Sequence, residues 1–387
     1  MTISKIKHNS RIAITSQFFL MGLLFSTIIS RFPALKEIYN LSMSELSLVP
    51  FAMSGGALLS MPLCVYLSSR YGSRKVGLFC FAQCLWLSAI VLMPNKTCLY
   101  IAAMLYGSLM QLADIGMNGN SILVEKAYKR PILGFFHSAF YFGVATGGAI
   151  SIITMVTGIS IIVHYIATSI VGVIWFWFNH IFYLHETPEK TSENKKFKIM
   201  LPKGILLLIA FVAFCGRIIE GSISDWSTVY MKTMIELTEM YSPVGLIVYA
   251  LFIAFGRLFT DTIRKHFSDI NIILGCGVVT GIGLLVMISG TNVYLAITGL
   301  LISGFGLSCF VPVIYSLAGN QKDVNPGLGI AMVNTVSGTG FLFGPSVIGF
   351  IAEHYNLRVS FMYVLAVTMI MIFLASLVKK KSEISNN

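Results

Sequence analysis

Apolar segments of about 20 residues recur along the whole chain and are separated by short polar connections. A helix needs about 20 apolar residues to cross the hydrocarbon core of a bilayer, whereas the helices of a soluble protein keep one polar side. The pattern therefore predicts an all-α integral membrane protein with twelve transmembrane helices. We assign the spans to residues 12–33, 45–68, 76–94, 98–123, 132–156, 160–183, 204–230, 243–263, 270–289, 292–318, 327–351 and 358–378.

The composition supports a membrane protein. Hydrophobic residues make up 56% of the chain and charged residues only 11%, against about 25% charged residues in soluble domains. The net charge of +11 would suggest nucleic-acid binding in a soluble protein. In a membrane protein basic residues mark the cytoplasmic connections, so we expect a lipid bilayer and no nucleic acid as partner.

The distribution of Lys and Arg predicts the orientation of the chain. With a cytoplasmic N-terminus, most of the 27 basic residues fall in connections on the cytoplasmic side, as the positive-inside rule requires. Both termini are then cytoplasmic. The first apolar segment is too long for the core of a signal peptide, and we interpret it as a retained first helix.

The chain divides into two similar halves. A polar, Lys-rich segment at 185–203 separates six spans from six, which predicts an N-terminal bundle at 1–184, a cytoplasmic linker and a C-terminal bundle at 204–387. The fifth and eleventh spans share a polar residue followed by glycines at spacings of six and four: His137, Gly143 and Gly147, and Asn334, Gly340 and Gly344. Parallel six-helix repeats of this kind are typical of secondary transporters.

Two cytoplasmic loops carry a family resemblance. The loop after the second span reads SRYGSRK from Ser69, and its counterpart in the second half reads GRLFTD and ends at Asp261. They resemble the loop of the major facilitator superfamily, which typically carries an Asp, a Gly and basic residues. Ser69 occupies the Asp position in the first half, whereas the second half keeps its acid. The resemblance implies two six-helix bundles around a central solute cavity, with Arg257 and Asp261 as a cytoplasmic gate.

Five sequence segments resemble one branch of this superfamily in particular. They are SRFPALKE, ADIGMNGNSILVE, KRPILGFFHSAFYFG, EGSISDWSTVY and GFLFGPSVIGFIAE. They are similar to a branch of bacterial inner-membrane facilitators with unassigned substrates, distantly similar to fucose–proton symporters. The resemblance implies an inner-membrane protein that moves a small-molecule substrate and protons. We expect it to act as a monomer.

Asp114 is the first candidate for proton coupling. It lies within the fourth span, and Asn118 follows one helical turn later on the same face. Ionisable groups within spans are costly and often functional, and burial disfavours the charged form of a carboxyl group, so such a group can bind and release a proton. Fucose–proton symporters also use an acid in helix 4. The alternative is a structural Asp that fixes helix packing, and Asn118 is a candidate substrate contact.

Arg217 and Glu220 are three residues apart in the seventh span and can pair within their helix. The guanidinium of Arg217 suits a carboxylate or a sugar oxygen of a substrate, and Glu220 is a second candidate for proton coupling. Two alternatives remain open. Arg217 is a counter-ion of Asp114, or the pair satisfies itself and never contacts substrate.

Arg31 and Asp225 occupy equivalent positions near the outer ends of the first and seventh spans. The pseudo-twofold relation of the two halves predicts that they form an outer gate. The alternative is that each charge independently extends to water.

Four further side chains are candidate substrate contacts: His137, Trp226, Tyr315 and Asn334. A histidine can carry a proton, but it can also act as a hydrogen-bonding strut within the bundle. Tyr and Trp near span ends are commonly anchors at the membrane surface.

Several motifs are missing from the sequence: a P-loop, HExxH, GxSxG and any cluster of metal ligands. We therefore expect no enzyme, no cofactor and no metal site. The predicted function is a secondary active transporter that moves a small polar solute by alternating access, coupled to protons. A drug or metabolite exporter working as a proton antiporter is one alternative, and a non-transporting sensor or scaffold is another.

Overall fold

A computed structural model describes residues 3–129, 132–185, 202–321, 324 and 326–386. Throughout this part of the chain the regular structure is helical, and the predicted all-α class is confirmed. The helices belong to two compact units, Met1–Leu41 with Leu48–Lys196 and Ser42–Ser47 with Phe197–Asn387. Most of the predicted linker, at 186–201, lies outside the described residues.

The described residues of the first half form seven helices: α1 (Ile3–Ile29), α2 (Phe32–Ile38), α3 (Met43–Val76), α4 (Phe79–Val91), α5 (Lys96–Tyr128), α6 (Leu133–Val156) and α7 (Ile161–His180). In the part of the second half that the structure describes there are eight α-helices: α8 (Ile205–Thr233), α9 (Val244–Leu258), α10 (Thr260–Arg264), α11 (Asp269–Ile288), α12 (Val293–Leu307), α13 (Phe310–Gly319), α14 (Pro326–His354) and α15 (Leu357–Asn386). A 3₁₀ turn at Glu239–Tyr241 precedes α9.

Eleven helical segments of the described chain are long and apolar enough to cross a membrane, with the 3₁₀ turn and α9 counted as one segment (Glu239–Leu258) and α12 and α13 as another (Val293–Gly319). The apolar helix Phe79–Val91 is shorter. These twelve segments coincide with the twelve predicted spans. Large apolar side chains are exposed on several of them, for example Trp177 at 67% and Phe178 at 64% on α7. Such exposed surface is expected where side chains contact lipid.

Gly72 separates the second predicted span from the third. Its backbone has φ = 78° and ψ = 164° within α3, a conformation that is essentially restricted to glycine. The chain turns there and becomes helical again at Ser73. The loop at 69–75, which resembles the family's loop, needs a glycine at position 72, because a residue with a Cβ would be strained at this turn.

Close helix packing follows the same plan within each unit. In the first unit α1 packs most closely against α6, and in the second unit α8 packs against α14. A Cβ on Gly143 of α6 would clash with the carbonyl oxygen of Phe19 on α1, and a Cβ on Gly340 of α14 would lie 2.6 Å from the carbonyl oxygen of Phe214 on α8. The glycines found by sequence repetition thus allow two helix backbones to approach closely.

Candidate functional site

A buried ion pair lies near the middle of α8. The guanidinium Nη1 of Arg217 donates a hydrogen bond to Oε2 of Glu220 at 3.0 Å, as the spacing of three residues predicts. The side chain of Glu220 is 6% exposed, and that of Arg217 is 19% exposed. Glu220 is therefore enclosed, whereas Arg217 keeps part of its surface accessible.

Arg257 of α9 is a second cationic partner of Glu220. Its Nη2 lies 3.4 Å from Oε1 of Glu220, and its Nε donates to the main-chain carbonyl of Ser308 at 3.3 Å. The side chains of Arg257 and Glu220 are both 6% exposed. Two guanidiniums thus pair with one buried carboxylate, as a charge in a protein interior requires.

Arg217 connects this ion pair to polar groups on α13 and α14. Its Nη2 donates to the hydroxyl of Tyr315 at 2.8 Å, and that hydroxyl donates to Oδ1 of Asn334 at 2.5 Å. The ring centroid of Phe341 lies 5.1 Å from Cζ of Arg217, within the range of a cation–π contact. Three candidate substrate residues predicted from sequence, Arg217, Tyr315 and Asn334, thus form one connected network.

We define the polar network as Arg217, Glu220, Arg257, Tyr315 and Asn334. It combines a guanidinium, a phenol hydroxyl and a carboxamide on side chains that are partly accessible. These groups donate and accept hydrogen bonds, so they can recognise a polar solute, and the neighbouring ring of Phe341 provides an apolar surface. Such a mixture is typical of sites for small molecules.

The candidates of the first unit lie in different surroundings. Asp114 is half-buried on α5, and the side-chain amide of Asn118 donates to the main-chain carbonyl of Asp114 at 2.9 Å. His137 is half-buried on α6, and its ring lies edge-on to Phe18 of α1 with centroids 5.0 Å apart. Proton coupling at Asp114 and substrate contacts at Asn118 and His137 stay predictions.

Arg31 participates in a buried cluster within the first unit. It is 4% exposed. Its Nη2 donates to Oγ1 of Thr154 at 3.0 Å, and its Nε donates to Nδ1 of His164 at 3.4 Å. The adjacent hydroxyls of Ser30 and Ser151 lie 2.5 Å apart. Arg31 therefore has hydrogen-bond partners in its own unit, and its pairing with Asp225 stays a prediction.

The remaining candidates belong to the second unit. Trp226 is fully buried, and its indole N–H donates to the carbonyl of Pro345 at 3.0 Å, so its one polar atom is engaged by the α8–α14 packing. Asp225 is 6% exposed. Asp261 is exposed on α10, whereas its predicted gate partner Arg257 belongs to the polar network. The gate role of Arg257 and Asp261 stays a prediction.

Sequence reasoning missed His164 and Thr154. His164 is 2% exposed on α7 and Thr154 is 8% exposed on α6. A histidine four residues into an apolar span is itself a signal, because a titratable group there needs a partner. Thr154 gives no such signal, because a threonine can satisfy its hydroxyl on its own helix.

Comparison with known proteins identifies the family. A family profile described as "Major Facilitator Superfamily" matches residues 14–323 and 248–387. An uncharacterized MFS-type transporter of Yersinia pestis is 31% identical over 347 residues, covering 89% of this chain and 89% of the relative. The membrane protein MosC of Rhizobium meliloti is 26% identical over 367 residues, covering 92% of this chain and 87% of the relative.

Solved structures show the same fold. The nucleoside transporter NupG (D323A mutant) superposes with a TM-score of 0.76 at 13% identity, covering 96% of this chain and 99% of that protein. A bacterial homolog of the human lysosomal transporter Spinster gives a TM-score of 0.75 at 12% identity, covering 97% of both chains. These similarities, together with the family profile and the twelve apolar helices, agree with one assignment. The chain belongs to the Major Facilitator Superfamily and is a multi-pass membrane transporter of that family rather than an enzyme.

Proposed function

We propose that this transporter moves a small polar solute by alternating access and couples the movement to protons. The observation that carries the proposal is the polar network of the second unit. Arg217 keeps 19% of its side chain exposed while it contacts Glu220 and Tyr315, and the Tyr315 hydroxyl in turn donates to Asn334. A guanidinium held this way presents donors to a solute at little cost in side-chain entropy.

The chemistry of the polar network indicates a polar solute and does not select one class of polar solute over another. Arg217, Tyr315 and Asn334 match oxygen-rich molecules such as sugars, carboxylates and nucleosides. The neighbour NupG is named a nucleoside transporter, but at 13% identity that likeness concerns the fold. Nucleosides should therefore be tested together with sugars and carboxylates, without preference for any of the three classes.

Proton coupling is proposed through acids within the spans, with Asp114 and Glu220 as the predicted residues. Energy from ATP is not expected, because the sequence has no P-loop. We further propose an inner-membrane location with both termini cytoplasmic, which is supported by the distribution of Lys and Arg. Membership of a transporter family does not support the alternative of a sensor or scaffold.

Substrate recognition can be tested by a ligand screen. Purified protein is heated with sugars, carboxylates, nucleosides and amino acids, since a ligand of the native state raises the melting temperature. A solute recognised by the network should stabilise the wild type and lose affinity by about tenfold or more in Arg217→Lys, which keeps the charge but loses the planar fork. Glu236→Gln, at an exposed position outside the network, is the matched control. Equal stabilisation of wild type and Arg217→Lys would count against this binding site.

Coupling is tested with the solute that the screen identifies. Proteoliposomes whose outside is more acidic than their lumen should accumulate the solute. The Asp114→Asn variant should lose that accumulation and should still exchange solute across the membrane. Accumulation driven only by the opposite gradient would instead support the antiporter alternative. Accumulation by Asp114→Asn equal to the wild type would dismiss Asp114 as a coupling residue.

A further inference from the structure

Asp225 is a buried acid that no group among the described residues neutralises. It lies on α8 five residues after Glu220 and is 6% exposed. Glu220 accepts hydrogen bonds from two guanidiniums, but Asp225 forms neither a hydrogen bond nor an ion pair within the part of the chain that the structure describes. A buried carboxylate without a partner is among the most costly groups in a protein interior.

The titratable and charged groups around α8 do not compensate this acid. Arg257 of α9 is bonded to Glu220, and Arg358 of α15 is bonded to the carbonyl of Gly290. Within the described chain, no titratable or charged side chain of α8 or of the helices packed against it forms a hydrogen bond or an ion pair with the Asp225 carboxyl. These side chains are Cys215, Arg217, Glu220, Tyr230, Lys232, Tyr249, Arg257, Tyr294, Tyr315, Glu353, His354, Arg358, Tyr363 and Lys379 to Lys381.

Hydroxyl groups flank Asp225 along its own helix. Ser222 and Thr228 are three residues before and three residues after it, so they lie on the same side of α8. Both are 0% exposed, and in the described structure neither hydroxyl has a hydrogen-bond partner. Buried polar groups without partners are rare in native proteins and mark functional positions or internal water.

We propose that Asp225 is a proton-binding residue of this transporter. A proton neutralises the carboxyl group without further ligands, and the resulting O–H can donate to a neighbouring hydroxyl or an internal water. A metal cation such as sodium would need several oxygen ligands at once, whereas a proton needs only the carboxyl group itself. Proton binding therefore explains the isolation of this acid most simply.

The binding has a consequence for the conformational cycle. The neutral form of Asp225 is compatible with the enclosed position seen here, whereas the charged form favours a conformation in which the carboxylate reaches water or a cation. A ligand shifts a conformational equilibrium by its difference in affinity for the two states, so a proton on Asp225 would stabilise the state described here. The link to transport rests on the proposed function, but proton binding is a property of the protein alone.

Infrared difference spectroscopy on the purified full chain in lipid nanodiscs tests the proposal without a substrate. The wild type should show the carbonyl band of a protonated carboxyl group at about neutral pH and lose it at alkaline pH. Asp225→Asn should lose the part of this band that comes from Asp225, and Glu220→Gln should keep that part. Asp225→Glu serves if Asp225→Asn fails to fold, because the band should then move to the position of a glutamic acid.

Three results would overturn the inference. They are a band that persists unchanged in Asp225→Asn, a band that does not move in Asp225→Glu, and loss of the band on adding sodium at constant pH, which would indicate a metal cation site. The outcome is separable from that of the proposed function. A band assigned to Asp225 without pH-driven uptake refutes coupling only, and pH-driven uptake with no such band refutes the assignment only.

Discussion

Replacement of Glu220 by Gln tests the polar network most sharply, because the change removes one charge and keeps the shape. Two unit charges about 4 Å apart attract by about 4 kcal/mol at an effective dielectric constant of about 20. The carboxylate of Glu220 contacts Arg217 at 3.0 Å and Arg257 at 3.4 Å. Its own desolvation offsets part of this attraction, and removing one partner of a buried pair costs about 3–5 kcal/mol. We therefore expect Glu220→Gln to lower the unfolding free energy by about that amount.

The assay is the stability of purified protein in mixed micelles, measured for single and double variants. Glu236→Gln, a change of the same chemistry at an exposed position, should stay within about 0.5 kcal/mol of the wild type. The double variant Glu220→Gln/Arg257→Gln should lose less than the sum of the single losses, by about 1–3 kcal/mol, because the two side chains interact directly. Additive losses, or a Glu220→Gln stability equal to that of the control, would refute the energetic importance of the network.

Three further expectations concern packing, and each is read out as the apparent melting temperature of the purified variant. Gly340→Ala should lower the free energy of unfolding by about 1–3 kcal/mol, because the new Cβ would lie 2.6 Å from a carbonyl oxygen. Gly338→Ala on the same helix meets no atom within 4 Å and should leave stability unchanged. Equal effects of the two changes would contradict the close approach of the helices. Gly72→Ala should cost about 1–3 kcal/mol because of its positive φ, and an unchanged melting temperature would argue against the turn. Trp226→Phe removes the hydrogen bond to Pro345 and should cost about 1 kcal/mol. The predicted substrate contact at Trp226 stays a prediction, which a loss of solute affinity in this variant would support and an unchanged affinity would contradict.

Much of the fold could be predicted because lipid imposes a simple rule on sequence. A span must be apolar over its whole length, so hydropathy alone located all twelve helical segments. Repetition added the glycines of the fifth and eleventh spans, since close approach of two helices admits no side chain. The sequence also predicted a loop between the second and third spans, and the positive φ of Gly72 found there explains why that loop contains a glycine.

The candidate site could be predicted only in part. The pairing of Arg217 with Glu220 follows from helical spacing. The contact of Arg217 with Tyr315 and that of Tyr315 with Asn334 join residues distant in sequence and depend on how three helices pack. For the same reason sequence did not reveal that Arg257, interpreted as a gate residue, contacts Glu220. Nor did it show that Arg31 has partners on α6 and α7, because hydrophobic periodicity carries no information on which helices are neighbours.

The central claim is that solute and proton move together, and the movement of protons is its most direct test. Proteoliposomes containing the purified protein and an internal pH indicator receive the solute found by thermal screening, with no pH gradient imposed. The account predicts that solute entry acidifies the lumen, and that Arg217→Lys at the same solute concentration reduces the change. Solute entry without any change of internal pH, or with alkalinisation of the lumen, would contradict proton symport.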